Sequence, residues 1–278
     1  MKKKRALIIG SGGLRGAYDA GVAAELCRNL EHSYFDSIYA CSAGAYTAAY
    51  VATNQPDALE HMWRYDLDGR KFVNFQNPLR GRNSLDLEYL IDLMSRPRTL
   101  LDRKYLQSSS SRLIYALTQK INGETAYIAP SHNDVFLLMT ASAAIPFLHK
   151  AVAIGKTRYI DGSLSDPLPF KKALADGHDE IIIVYNKAKG FLDGKGYDSL
   201  MDIIALALPG HMRRFAKTLK ARFEETEEQL EKLKQVKVIR PKIQLPLKSI
   251  LDSNKARLNA CVDMGIADAK EFLKTYHG

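Results

Sequence analysis

The chain has 278 residues, of which 46% are hydrophobic and 26% charged. That length supports a domain with a substantial buried core, and the composition excludes a mainly disordered or collagen-like chain. Lys plus Arg exceed Asp plus Glu by 40 − 31 = 9, an excess that favours anionic partners without choosing among phosphorylated substrates, nucleic acid and an acidic membrane face.

Cys27, Cys41 and Cys261 are odd in number and widely spaced, with no CxxC pair and no zinc-type cluster, which points to a reduced compartment. Met1-Lys2-Lys3-Lys4-Arg5 imitates the basic start of a signal peptide. The apolar run after it, Ala6 to Ile9, is too short to complete one. No stretch of about 18 apolar residues runs without a charge, so a cytoplasmic protein with no transmembrane helix is expected.

In chain order, Arg5–Ile9 reads as a short apolar strand, Gly10–Gly13 as a turn and Leu14–Leu30 as a helix. Ser37–Cys41 is a second strand, followed by a small-residue helix from Ala43 to about Thr53. This strand–turn–helix rhythm predicts an α/β fold with a parallel-rich central sheet between helices. Ser111–Gln119 and Glu124–Ala129 flank Asn122-Gly123, a hairpin signal. Val135–Ala144 reads as a buried helix ended by Pro146, Thr157–Ile160 as a strand delivering Asp161-Gly162, and Glu180–Tyr185 as an apolar strand central to a parallel sheet.

Beyond Gly190 the character changes. Residues 191–197 are rich in Gly and polar groups, and 200–234 read as helices broken at Pro209-Gly210. An extended stretch, Val236–Pro246, precedes a last helix from about Asn254 to Tyr276. The expectation is one domain over 1–278, with a core of about 5–190 and a helical C-terminal part of about 191–278.

Two segments carry chemistry. In Ala40-Cys41-Ser42-Ala43-Gly44, a serine stands between strand and helix, flanked by the small residues that a tight nucleophile elbow requires. Ser42 reads equally well as the N-cap of the helix that follows, and Cys41 is a rival nucleophile that the strand should point the other way. Gly10-Ser11-Gly12-Gly13-Leu14-Arg15-Gly16 leaves backbone amides free at a helix start, which suits a phosphate or an oxyanion. The dinucleotide pattern fails because Arg15 stands where its third glycine belongs, and no Lys-Ser/Thr follows Gly16.

Together these features resemble the patatin-like phospholipase family, in particular its small bacterial members. The resemblance rests on Ser11 to Gly16, on Ala40 to Gly44, on Asp161-Gly162-Ser163, and on Ala141-Ser142-Ala143-Ala144-Ile145-Pro146 and Asp166-Pro167-Leu168-Pro169 around that aspartate. Gly16-Ala17-Tyr18 with Gly21-Val22, and a C-terminal segment from Arg240-Pro241 to Ala269, extend it over nearly the whole chain. It implies a patatin-like fold with a helical C-terminal extension and a Ser42–Asp161 dyad acting on lipid acyl esters. It also implies an oxyanion hole at Gly12, Gly13 and Leu14, loop support from Arg15 and Gly16, and no metal or cofactor. Ser11, Ala40 and Ser163 depart from the family pattern; an alanine at position 40 would resist a positive φ.

None of the seven histidines sits in a catalytic setting by sequence. His211–Phe223 reads as a basic amphipathic helix, either packed on the core or lying on an anionic membrane. No nucleic-acid motif is present. The alternative from another class is a nucleotide- or phosphate-binding regulatory protein that uses the glycine loop without catalysis.

Overall fold

The computed structural model describes residues 3–191, 201–206, 208–213 and 218–276. Eight strands form one sheet: β1 (Arg5–Ile9), β2 (Ser37–Cys41), β3 (Arg112–Gln119), β4 (Thr125–Ile128), β5 (Val152–Ile154), β6 (Thr157–Ile160), β7 (Glu180–Val184) and β8 (Val236–Ile239). The hydrogen-bonded path is β5-β6-β3-β2-β1-β7-β8, with β4 also pairing with β3. From β3 to β8 every pairing on that path is parallel; β4, β5 and β6 join antiparallel. The central strands β1, β2 and β7 are buried almost along their whole length, which is why they read as continuous apolar runs rather than alternating ones.

Among the described residues the helices that cover the sheet include α1 (Gly16–Asn29), α2 (Ala43–Ala52), α3 (Val135–Ser142), α4 (Phe170–Ala175), α5 (Leu219–Lys232) and α6 (Lys255–Thr275). Two apolar clusters result, one on each face. Leu7, Ile9, Ile38 and Tyr115 pack under α1, α2, α3 and α6, while Ile8, Tyr39, Ile181 and Ile183 pack under α4 with Met201, Ile204, Ala205, Leu208 and Met212. Among the described residues no helix is long and apolar enough to cross a membrane.

Most predicted elements lie within a residue or two of their expected ends. The helix expected from Leu14 instead opens with a 3-10 turn, Gly13–Arg15, because Gly13 turns with φ 57° and Leu14 N donates to Ile250 O at 2.8 Å. The C-terminal part is not only helical, since β8 extends the parallel sheet beside β7. Residues 192–200 lie outside the described residues. So do 214–217, which interrupt the basic amphipathic helix expected over His211–Phe223.

Helix α6 lies directly on α1. A Cβ on Gly265 would sit 2.2 Å from Tyr18 O, and the Tyr18 hydroxyl donates to Asp268 Oδ2 at 2.9 Å across the same contact. Gly265→Val must therefore push the two helices apart. It is expected to cost about 1–3 kcal/mol of stability, read as a lower urea midpoint; an unchanged midpoint would show that the helices do not meet this closely.

Candidate active site

Ser42 follows β2 and stands at the start of α2. Its backbone, at φ 54° and ψ −126°, lies where side chains are rarely found. The strain is held by close packing behind it, because a Cβ on Gly44 would meet Ile9 O at 2.4 Å. Ala40 escapes the positive φ expected to trouble it: it is an ordinary buried residue of β2, in register with Ile9 and Tyr115. Ser42 makes no side-chain cap to its helix; its Oγ donates to Asp161 Oδ2 at 2.8 Å.

The sheet itself brings these residues together across 119 positions of sequence. Along an extended strand, alternate amides point to opposite edges. Arg112 N donates to Asp36 O just before β2, and Lys120 N donates to Arg158 O of β6. These amides are eight residues apart and so share one edge of β3, while Gln119 N donates to Glu124 O on the other. β2 and β6 therefore arrive on one edge of β3 from opposite directions. Their registers end at Cys41↔Ala116 and Thr118↔Ile160, so one further step along each leads to Ser42 and Asp161 beside Leu117.

A third residue seals the gap where the two strands meet. The Ser142 hydroxyl, fully buried at the end of α3, accepts from Ser42 N at 2.9 Å and donates to Ala116 O at 2.8 Å. It stands in for the ladder bond that β2 stops short of making. Sequence reasoning quoted Ser142 within a motif but gave it no task.

Asp161 is 1% exposed. Its Oδ1 accepts from Ser163 N at 2.8 Å, and its carbonyl accepts from the Thr118 hydroxyl at 2.8 Å. Burial raises the carboxyl above its ordinary pKa, while Ser163 and the Ser42 hydroxyl pull the other way by favouring the ionised form. Cys41 is buried, with its thiol driven well above the usual range, chiefly by burial and then by the nearby acids Asp161 and Asp166; it has no thiolate to offer.

The glycine loop lies against Ser42. Among the described residues the amides of Gly12 and Gly13 have no hydrogen-bond partner, whereas Leu14, expected as a third donor, gives its amide to Ile250 O. Leu14 is therefore not a free donor here. Asn186 holds the loop from below, its Nδ2 donating to Ser11 O at 3.1 Å and to Asp19 Oδ2 at 2.8 Å. A Cβ on Gly12 would fall 2.3 Å from that amide, so any larger residue must displace the Asn186 clamp. Arg15 is buried beneath the loop with its guanidinium over the Phe191 ring, and Gly16 lets α1 approach Trp63.

Two cavities meet at Ser42. One is the more polar of the two and carries Arg15, Asp161, Ser163 and Lys187 beside apolar walls such as Leu164 and Ile204; the other is apolar and walled by Tyr46, Trp63, Leu67, Phe72 and Leu90. Among the described residues no histidine lines either. His149 and His178 are buried elsewhere, each with Nδ1 on a backbone carbonyl.

A family model described as patatin-like phospholipase matches residues 7–174, which include the loop, the elbow and the aspartate. The chain belongs to the patatin-like phospholipase family. A curated relative, the uncharacterized protein YjjU of Escherichia coli K12, is 29% identical over 183 residues, 64% of this chain. The chain spans about half of that relative's length, 51%. Among solved structures, VipD from Legionella pneumophila aligns over 98% of this chain and 67% of its own, with TM-score 0.50 and 13% identity. That likeness shows the patatin-like fold. ExoU of Pseudomonas aeruginosa, solved with SpcU, aligns over 98% of this chain and 53% of its own at TM-score 0.37 and 13% identity.

Removing the bridging hydroxyl tests the seal in this patatin-like site. Ser142→Ala leaves Ser42 N and Ala116 O buried without their partner, at a cost of about 1–3 kcal/mol. A lower urea denaturation midpoint is expected. A wild-type midpoint would show that the bridge is not needed.

Proposed function

We propose that this chain is a serine acyl-ester hydrolase acting on lipid acyl esters, with Ser42 as nucleophile and Asp161 as general base. The observation that carries this reading is the 2.8 Å hydrogen bond from Ser42 Oγ to Asp161 Oδ2, formed at a strained elbow beside free loop amides. A serine hydroxyl attacks only when a base accepts its proton, and the ionised Asp161 carboxylate is the base within reach.

In the proposed sequence Asp161 takes the Ser42 proton as Oγ bonds to the acyl carbon. The carbonyl oxygen becomes an oxyanion held by the amides of Gly12 and Gly13, each donor contributing about 3 kcal/mol in sites of this kind. Collapse breaks the bond to the leaving alcohol, which takes the proton back from Asp161. Asp161 then deprotonates a water that attacks the acyl-serine, and the proton returns to Ser42 as the fatty acid leaves. No step requires a metal or cofactor. The apolar cavity is the place for the acyl chain, while the polar one, with Arg15 and Lys187, suits an anionic leaving group. A phosphate-binding regulatory role would leave both the strain at Ser42 and its bond to Asp161 without purpose.

Ser42→Ala is expected to lose turnover of a short-chain nitrophenyl ester and labelling by a fluorophosphonate probe while keeping its circular-dichroism spectrum. Full activity in that variant would end the assignment, and Asp161→Asn should lose turnover in the same way.

The pH profile gives a second test. Asp161 works only when ionised, and burial raises its pKa, so kcat/KM should fall on acidification at a pH above the ordinary aspartate range. Ser163→Ala removes a group that favours the carboxylate and should move that acid limb further up. A limb that stays put or moves down would mean that Asp161 is not the titrating base.

A further inference from the structure

The segment Gly69–Leu85 forms one rim of the apolar cavity: Phe72 and Leu85, both buried, line it. Between them the chain turns outward and its composition changes. Four cations, Arg70, Lys71, Arg80 and Arg82, occur among these seventeen residues with no acid. All four side chains are exposed, and among the described residues none is ion-paired. Phe75 and Leu79, 64% and 89% exposed, stand between the two pairs of cations.

A second strip lies alongside. Leu85 N donates to Leu148 O, and Lys150 N donates to Asn83 Oδ1. This holds the exposed Phe147 and Lys150 next to the basic loop. Phe147 is 65% exposed with φ 75°, a backbone conformation that a bulky residue seldom adopts. It directly follows Ile145 and Pro146, which line the polar cavity at Ser42. Water gives no reason to hold a large apolar side chain outward on strained backbone; an apolar medium does.

We infer that this rim, Arg70 to Arg82 with Phe147 and Lys150, is the surface by which the protein docks on an anionic lipid bilayer, with Phe75, Leu79 and Phe147 entering the acyl boundary. The inference rests on the lipid-hydrolase reading for its purpose and on the rim for its physics. Exposed apolar side chains among unpaired cations match a bilayer face, where headgroup charge attracts the arginines and the acyl region takes the rings. Docked this way, the wall of the apolar cavity lies against the lipid, and an acyl chain reaches Ser42 without crossing water.

The test is co-sedimentation of the Ser42→Ala chain, which leaves the lipid intact, with vesicles of phosphatidylcholine alone or containing phosphatidylglycerol. Binding to the anionic vesicles at low salt is expected, weakening as salt screens the arginines. Arg80→Gln with Arg82→Gln should weaken it about thirtyfold, from roughly fivefold per basic residue at a charged bilayer. Phe75→Ser with Leu79→Ser should weaken it while leaving its salt dependence in place. In chains that keep Ser42, both double variants should hydrolyse a soluble nitrophenyl ester at the wild-type rate. Failure of the parent chain to bind anionic vesicles, or wild-type binding by both double variants, would overturn the docking surface. Because binding is read without turnover, failure of the wild-type chain to take up a fluorophosphonate at Ser42 would sink the hydrolase reading and leave the docking result standing.

Discussion

The site depends on one edge of β3 serving two strands that travel in opposite directions. A parallel sheet delivers the C-terminal ends of its strands to one side, and Ser42 arrives there at the end of β2. An aspartate on a further parallel strand would sit one strand spacing away at least. Here β6 is antiparallel and shares the edge that β2 has vacated, so the two residues meet end to end rather than side by side. That arrangement leaves no room for an intervening imidazole, and none is found among the described residues: the carboxylate touches the hydroxyl itself.

Direct contact has an electrostatic consequence. A buried carboxylate beside a serine is a stronger base than one in water, because desolvation favours taking up the proton. Hydrogen bonds from Ser163 N, Ser163 Oγ and Ser42 Oγ offset part of that cost by favouring the ionised form. In the proposed mechanism these opposed effects set the strength of Asp161 as the base beside Ser42. The same burial disarms Cys41, one residue away, by holding it as a neutral thiol. Two neighbouring groups of similar chemistry thus differ in reactivity through orientation and solvation alone.

Much of the fold was legible because local and global preferences agree. β1, β2, the hairpin of β3 and β4, and β6 were readable from apolar runs and from Asn122-Gly123, and their observed ends lie within a residue or two. The segment from Pro56 to Gln107 gave no such pattern. It folds as short helical turns, Pro56–His61, Gly69–Phe72 and Leu87–Leu93, and Phe72, Leu87 and Leu90 of the last two turn toward a cavity rather than along one regular face. Ser42 and Asp161 were found by motif, but motifs carry no distances. The bridging hydroxyl of Ser142 and the Asn186 clamp under the loop left no separate signal, because each works through backbone atoms that any sequence possesses.

The C-terminal part shows how far a site can reach along a chain. By composition it is an appendage, yet Ile250 O takes the Leu14 amide, and Ile250 and Leu251 each wall one of the two cavities at Ser42. Helix α6 then locks onto α1 through the close contact of Gly265 with Tyr18. The glycine loop is thereby pinned from two sides, by Ile250 above Leu14 and by Asn186 beneath Gly12. Backbone amides stabilise a developing charge only if they already point at it, since turning them costs what the charge would return. A loop with Gly12 and Gly13 needs that external bracing more than most, because glycines alone would leave it free to turn.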